Sequence, residues 1–124
     1  MAADLGAADS RETLAFVRSR LVAACALHAI IPIDTPFFEI HDEAGLRQET
    51  ERAIALGFTA KAAIHPDQIA IINAALTPTD AAVAEARAIL AENAKGVGTV
   101  GGQMIDEAVA RKARRVLAAT GLTS

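Results

Sequence analysis

The sequence predicts a parallel α/β fold with helices outside a small sheet, and three observations predict it. Helical and strand patterns alternate in short units along the 124 residues. The two strand segments are apolar without alternation, which is typical of strands covered on both faces. The composition, 52% hydrophobic and 22% charged, is that of a globular chain.

The first helix is predicted over residues 10–28. Asp9 is a candidate N-cap, and Glu12 stands at the capping-box distance from it. Apolar positions recur every three or four residues at Leu14, Val17, Leu21, Ala24 or Cys25, and then His28. The charged residues off this stripe are Arg11, Arg18 and Arg20. The pattern therefore predicts one buried helix face.

The first strand is predicted at residues 30–34. Pro32 weakens the strand pattern because proline cannot donate to a sheet ladder. The second helix is predicted over residues 43–56, with Asp42 as its N-cap and Gly57 at its end.

The second strand is predicted at residues 58–64 and is followed by a turn, His65-Pro66-Asp67-Gln68, into a third helix. Pro66 suits the first turn of that helix. The run Thr77-Pro78-Thr79-Asp80 combines a cap, a first-turn proline and an acidic residue at the capping-box distance. It predicts a fourth helix through about residue 92.

The C-terminal segment combines a glycine-rich break at residues 96–102 with a final helix, which Asp106 can cap and which ends before Gly121. Two strands cannot close a sheet of this class, since a (β/α)8 barrel needs eight strand–helix units and about 250 residues. The sequence therefore predicts the C-terminal portion of such a TIM-type barrel plus extra C-terminal helices.

Composition and charge exclude two classes of protein. A net charge of −3 with no Trp or Tyr gives nucleic-acid binding little support. The longest apolar stretch, residues 21–33, is shorter than the about 20 residues that span a bilayer, and the N-terminus lacks the pattern of a signal peptide. A single cysteine fits a reducing compartment. We therefore expect a cytoplasmic protein that binds neither nucleic acid nor membrane.

Three segments carry a resemblance to a known family. They are Ile33-Asp34-Thr35-Pro36, the stretch GFTAKAAIHPDQI at residues 57–69, and Gly102-Gln103-Met104-Ile105-Asp106. In this order they resemble the citrate lyase beta-subunit-like family of the HpcH/HpaI aldolase group, alongside malyl-CoA and citramalyl-CoA lyases. The resemblance implies a (β/α)8 barrel that uses Mg²⁺. It also implies a reaction that cleaves or forms a carbon–carbon bond between a 2-oxo or 3-hydroxy acid fragment and acetyl-CoA or a related thioester.

The resemblance also implies that C-terminal helices close the site as a lid, often over a neighbouring subunit. We therefore expect residues 1–95 to hold the last strand–helix units and the following helix, and residues 96–124 to form a hinge and the C-terminal lid helix. The family's metal ligands, a Glu and an Asp, and its substrate-facing arginine belong to earlier strands. Asp4 is accordingly not taken as a ligand, no Mg²⁺ ligand is expected in this chain, and the chain alone is expected to be inactive.

Asp106 is the catalytic residue that the resemblance implies. The Asp of the Met104-Ile105-Asp106 motif is implied to reach the thioester end of another subunit's site, as an acid or polarising group. A helix cap is the alternative role for its carboxylate. Ala108 stands where the family often has proline.

The residues that bind substrate or CoA are expected at the strand ends, where barrel active sites are built. His65 and Pro66 begin the loop after the last strand, and the resemblance implies that Ile64, His65 and Pro66 contact CoA; a structural turn is the alternative. Asp34 ends the other strand and faces the site mouth by the same geometry, or its carboxylate has a structural role. Lys61 is expected in a neutralising pair rather than as a Schiff-base lysine.

Two further patterns are not interpreted as sites. Residues 96–101 match G-x-G-x-x-G, but they follow a helix and lack an acidic residue about 20 positions on, so they are interpreted as a flexible lid hinge. His28, His41 and His65 lack the close pairing of zinc ligands.

Two functional hypotheses follow. The first is the C-terminal part of a Mg²⁺-dependent CoA-thioester lyase, whose other strands come from a homo-oligomer or from a complementary N-terminal barrel fragment. The second is a non-catalytic interaction or oligomerisation module that binds a partner through strand edges and apolar faces.

Overall fold

The computed structural model describes residues 11–96 and 98–121. The predictions placed on Asp4 and on the N-cap Asp9 lie outside these residues. The chain divides into two compact units, the first ending at Leu76 and the second beginning at Thr77. The division expected between residues 95 and 96 stays a prediction about the lid.

The first unit contains three helices and a parallel pair of strands. Its elements are α1 (Arg11–Leu27), β1 (Ile33–Asp34), α2 (Glu43–Leu56), β2 (Ala60–Lys61) and α3 (Pro66–Leu76). β1 pairs with β2 in parallel, with Ile33 opposite Ala60 and Asp34 opposite Lys61. The predicted strand–helix–strand crossover is therefore present.

Both strands are shorter than the sequence predicts. Two flanking hydrogen bonds, from Thr59 N–H to Pro32 O at 3.3 Å and from Ala62 N–H to Asp34 O at 3.1 Å, extend the contact beyond the paired residues. The elements of this unit do not supply the expected cover on both faces of β1, since Ile33 is 60% exposed. The helices of this unit do not enclose its side chain.

Helix ends follow the capping signals closely. The Asp42 side chain accepts a hydrogen bond from Gly45 N–H, and Gly57 ends α2 in the left-handed region at φ 101°. A Cβ at Gly57 would lie 2.9 Å from Val22 Cγ1, so only glycine fits there without a shift. The predicted bounds of α2 are confirmed.

The buried face of α1 differs from the predicted stripe. Leu14, Val17 and Cys25 are half-buried, whereas Leu21, Ala24 and His28 are exposed. The side chain of Arg18, predicted to lie off the stripe, is only 14% exposed. Leu14, Arg18 and Val22 stand four residues apart and therefore share the face that α1 turns to the unit.

The core of the first unit combines apolar and polar side chains. Its buried apolar residues are Leu46, Ala53, Phe58 and Ile72, and its buried polar residues are Asp34, Thr50, Lys61 and Gln68. Thr50 is satisfied by donating to Leu46 O at 2.7 Å. No helix within the described residues is long and apolar enough to cross a membrane.

The second unit is a helix pair with a β-hairpin. Its elements are α4 (Asp80–Asn93), β3 (Gly98–Val100), β4 (Gln103–Ile105) and α5 (Glu107–Thr120). The cap of α4 is Thr79, which accepts from Ala82 N–H at 3.2 Å, and not Thr77 as the run Thr77-Pro78-Thr79-Asp80 predicts. Pro78 therefore precedes the helix instead of lying in its first turn. Small buried residues, Ala86 on α4 and Ala110 and Ala113 on α5, let the two helices pack closely.

The glycine-rich break forms antiparallel strands, which the sequence interpretation as a hinge did not predict. β3 pairs with β4, with Gly98 opposite Ile105 and Val100 opposite Gln103. Gly101 and Gly102 connect them with φ of 59° and 81°. Two consecutive positive φ values are the requirement of a tight type I′ hairpin turn, and a Gly-Gly pair meets it without strain.

Candidate functional site

The candidate site lies at the carboxyl ends of the two parallel strands. Asp34 ends β1 and Lys61 ends β2, so the parallel register places them side by side. Lys61 Nζ lies 2.7 Å from Asp34 Oδ2, and each side chain is 1% exposed. The structure thus shows the neutralising pair that was expected for Lys61.

A second cation, Arg18, contacts the same carboxylate. Its Nη2 lies 2.8 Å from Asp34 Oδ1, close enough for an ion pair, although the angles are not those of a hydrogen bond. Its Nη1 donates to Glu49 Oε1 at 2.9 Å, and its guanidinium carbon lies 5.5 Å from the centre of the Phe58 ring. Two cations and two carboxylates therefore balance in one cluster, which we call the strand-end cluster (Arg18, Asp34, Glu49, Lys61).

Sequence interpretation missed Arg18 because it placed every arginine of α1 off the apolar stripe. The available signal was its spacing, four residues after Leu14 and four before Val22. An arginine on an apolar helix face needs a buried partner, and Asp34 supplies it.

Buried side chains also tie together the loops that follow the strands. Lys61 Nζ donates to Thr35 O at 2.8 Å, in the loop after β1. Gln68 Nε2 donates to Phe37 O at 2.8 Å in the same loop, while Gln68 Oε1 accepts from Ile64 N–H at 3.0 Å in the loop after β2. Sequence interpretation assigned Gln68 no role beyond that of a turn residue.

His65 stands at the N-terminal boundary of α3. Its carbonyl accepts from Gln68 N–H at 3.1 Å, and its Nδ1 accepts from Asp67 N–H at 3.3 Å. Nδ1 also lies 3.5 Å from Asp67 Oδ2. These two interactions exclude each other, since Nδ1 accepts from the amide only when neutral and pairs with the carboxylate only when protonated.

The three residues expected to contact CoA form one accessible loop. Ile64 is 46% exposed, the His65 side chain is 40% exposed, and Pro66 begins α3 at the surface. Asp34 is joined to this loop through Lys61 and Gln68, but its own carboxylate is enclosed by cations. The contacts of Asp34 are those of the structural alternative, and direct substrate contact stays a prediction.

Asp106 lies in the second unit, in the residue between β4 and α5. Its Oδ1 accepts from Val109 N–H at 2.9 Å, so the carboxylate caps α5 as the alternative role required. The residue is exposed, and the neighbouring Met104 is 67% exposed. Its function as an acid stays a prediction.

A charged pair follows Asp106 on α5. Arg114 Nη1 donates to Glu107 Oε1 at 2.6 Å, and both side chains are exposed. The hydrogen bond and positive charge of Arg114 lower the pKa of Glu107, and the same pair raises the pKa of Arg114.

The described residues do not fit a magnesium site. Within residues 11–96 and 98–121, no group of three or more His, Cys, Asp or Glu side chains is placed to hold a metal ion. The buried carboxylate at the strand edge, Asp34, already faces Lys61 and Arg18. Because these two cations already neutralise the Asp34 carboxylate, a divalent metal ion would gain little by binding to it.

The parallel strands, the crossover helix and the polar strand ends define a segment of a TIM-type barrel. The chain belongs to the C-C_Bond_Lyase family of the TIM-barrel fold, whose model matches residues 8–120. The resemblance to citrate lyase beta-subunit-like proteins and the expected fold class are thereby confirmed.

Curated relatives include two thioester lyases. L-malyl-CoA/beta-methylmalyl-CoA lyase of Rhodobacter capsulatus is 43% identical over 108 residues, covering 82% of this chain and 34% of that protein. Mitochondrial citramalyl-CoA lyase of Rattus norvegicus is 30% identical over 123 residues, covering 93% of this chain and 36% of that protein. The chain thus spans about a third of the length of these relatives.

Solved structures show the same similarity. CitE from Mycobacterium tuberculosis, in complex with magnesium, acetoacetate and coenzyme A, is 31% identical with a TM-score of 0.82, over 98% of this chain and 49% of that one. RipC from Yersinia pestis is 59% identical with a TM-score of 0.62, over 65% of this chain and 38% of that one.

Proposed function

We propose that this chain forms the CoA-facing edge and the C-terminal lid of a Mg²⁺-dependent carbon–carbon lyase. The reaction is the cleavage or formation of a 3-hydroxyacyl-CoA-type thioester of the citryl, malyl or citramalyl class. Family membership and the malyl-CoA and citramalyl-CoA lyases among its relatives support this class. The observation that carries the proposal is the strand-end geometry, in which Lys61 and Gln68 tie two loops together at the edge where barrel active sites form.

The proposed CoA contact is the loop of Ile64, His65 and Pro66. Two features support this assignment. The loop is exposed, and it is held in place because Gln68 accepts a hydrogen bond from the Ile64 amide and α3 begins at Pro66. A rigid loop binds a flexible ligand with less loss of entropy than a mobile one. Asp34 supports this loop pair from beneath, through Lys61.

Asp106 is the proposed proton donor. Breaking the carbon–carbon bond leaves negative charge on a thioester enolate, which needs electrostatic stabilisation and then a proton. A carboxyl group has two oxygens, so a cap made by Oδ1 leaves Oδ2 for this role. By the family resemblance, the lid delivers Asp106 to the site of another subunit.

Magnesium enters this proposal through the family resemblance and through the metal in the CitE complex. Its ligands are proposed outside the described residues, since these do not fit the ion. The proposed compartment is the cytoplasm, which the single cysteine supports.

A partner that completes the barrel is part of the proposal. Leu27, Ile30, Ile31 and Ile33 are 84%, 59%, 70% and 60% exposed, so a row of large apolar side chains flanks β1. Such a row is typical of a surface covered by another part of a protein. A second copy of the chain or a complementary N-terminal barrel fragment would cover it. The same row supports the second candidate function, a non-catalytic interaction module.

Lyase activity is tested on the assembly isolated through the tagged full chain. We expect the assembly, with Mg²⁺, to release a CoA thioester product from citryl-CoA, malyl-CoA or citramalyl-CoA. D106N should lower kcat, whereas E107Q, which changes the adjacent carboxylate, should leave it unchanged. An assembly that cleaves none of the three thioester classes would contradict the lyase proposal and favour the interaction module.

The partner is tested by the mass of the chain in solution, measured by light scattering. We expect a mass above the 12.8 kDa of one copy. The variant I31K should lower that mass, because a charge in an apolar contact is costly. A monomer that I31K leaves unchanged would contradict a second copy at this surface.

A further inference from the structure

Gln68 makes one hydrogen bond more than its own helix requires. It is the third residue of α3, where a side-chain acceptor can reach back to an amide that precedes the helix. Gln68 Oε1 does so by accepting from Ile64 N–H at 3.0 Å. This bond is the capping interaction at the start of α3, and a carboxylate oxygen would accept it equally well.

The other end of the amide serves a distant segment. Gln68 Nε2 donates to Phe37 O at 2.8 Å, across 31 residues of sequence. The residue is 1% exposed, so both polar ends are shielded from water. This second bond requires an amide at neutral pH, because a carboxylate has no proton to donate.

The two bonds join the loops that follow β1 and β2. The Phe37 ring packs against Gly45, where a Cβ would come within 2.9 Å of it, and Lys61 donates to Thr35 O two residues earlier. Gln68 therefore ties Ile64 to a loop that is already anchored. A change at Gln68 is transmitted to Ile64 rather than lost in a mobile segment.

We propose that Gln68 is a positioning residue for the CoA thioester. Because its side chain is buried, it acts through Ile64 and sets where the loop of Ile64, His65 and Pro66 stands relative to the loop after β1. The inference rests on the proposed function, which assigns that loop to CoA contact. The role belongs to the amide group of Gln68, because another capping side chain would keep the bond to Ile64 but lose the bond to Phe37. Affinity for CoA should therefore depend on the amide.

The test uses Q68E in the full chain and measures the dissociation constant for coenzyme A by calorimetry. At neutral pH the carboxylate keeps the acceptor for Ile64 but opposes Phe37 O, and we expect affinity to fall about tenfold. As pH falls through the pKa of the introduced carboxyl, its protonated form can again donate to Phe37 O. The affinity of Q68E relative to wild type should therefore recover.

Two variants control this pH profile. Q68M lacks both polar ends and should bind weakly at every pH. Q48E adds the same charge at an exposed position of α2 and should follow wild type throughout. The ratio to wild type removes the pH dependence that all variants share. Unchanged affinity of Q68E at neutral pH, in a chain that binds coenzyme A, overturns the inference.

Failure of the proposed function gives a different result. A wild-type chain that does not bind coenzyme A removes the proposed CoA contact and, with it, the role of Gln68 in affinity. The link that Gln68 makes between the two loops is then tested separately, by hydrogen exchange at the Ile64 amide. Faster exchange in Q68M than in wild type supports the tie, and equal exchange overturns it.

Discussion

The strand-end cluster and the pair on α5 are both made of opposite charges, but they differ in burial. Lys61 and Asp34 are each 1% exposed, whereas Arg114 and Glu107 are 51% and 64% exposed. A buried charge that loses its partner cannot be rescued by water, while an exposed one is solvated and screened. The shorter distance, 2.6 Å on α5 against 2.7 Å in the cluster, is therefore no guide to which pair matters more.

The largest effect is expected from K61M. The variant keeps the length of the side chain but leaves Asp34 with Arg18 alone and frees Thr35 O. Removing one partner of a buried ion pair costs about 3–5 kcal/mol, so the free energy of unfolding should fall by that order. Urea unfolding of the full chain measures it. A loss below about 1 kcal/mol, the size of an exposed pair, would show that water reaches the cluster.

A smaller loss is expected from R18M. Its contact with Asp34 lacks hydrogen-bond geometry, and Lys61 remains to balance the carboxylate. Loss of its charge-assisted bond to Glu49 predicts about 1–3 kcal/mol. The double variant R18M/K61M should cost more than the sum of the single variants, because Asp34 is then left without a cation. Additive losses would mean that the two cations act independently.

Capping signals made α2 predictable, because Asp42 and Gly57 act on their own helix through local hydrogen bonds. For α4 the same kind of signal predicted the helix but placed its cap two residues early, at Thr77 instead of Thr79. The lengths of the strands and the exposure of Ile33 could not be predicted from the apolar pattern of the strand segments. Whether an apolar residue is buried depends on which elements pack over it, and the local sequence does not determine that packing. The hairpin at Gly101 and Gly102 had a local signal, two adjacent glycines, that was interpreted only as a break.

The candidate site divides in the same way. His65, Pro66 and Asp34 could be named from the sequence because strand ends are places where barrels build sites, and their contact with CoA or substrate stays a prediction. Arg18 and Gln68 were missed because their roles depend on partners 31 residues away in sequence, Glu49 and Phe37. Arg18 and Glu49 join α1 to α2, and Gln68 joins α3 to the loop after β1, so these pairs depend on which elements pack together and not on local sequence.

The next effect tests the cap of α5. D106A removes the acceptor for Val109 N–H and should lower the free energy of unfolding by about 1 kcal/mol. D106N keeps an oxygen in the same place and should cost only a few tenths of a kcal/mol. The pair thereby separates stability from the proposed acid function, since D106N alone retains the cap. Equal destabilisation by both variants would show that the negative charge, not the cap, stabilises the helix.

The smallest effect is expected from the exposed pair, and its sign depends on pH. The pKa of Glu107 is lowered in the folded chain, by the hydrogen bond and then the charge of Arg114. Its stabilising contribution is therefore present above the ordinary pKa of a glutamate, about 4.3, and is lost as pH falls through the lower folded value. E107Q should thus be slightly less stable than wild type at neutral pH and equal to it in strong acid. Salt at 1 M should remove the neutral-pH difference, because it screens exposed charges, while leaving the loss in K61M in place. If salt instead reduced both losses alike, the strand-end cluster would be as accessible to solvent as the pair on α5.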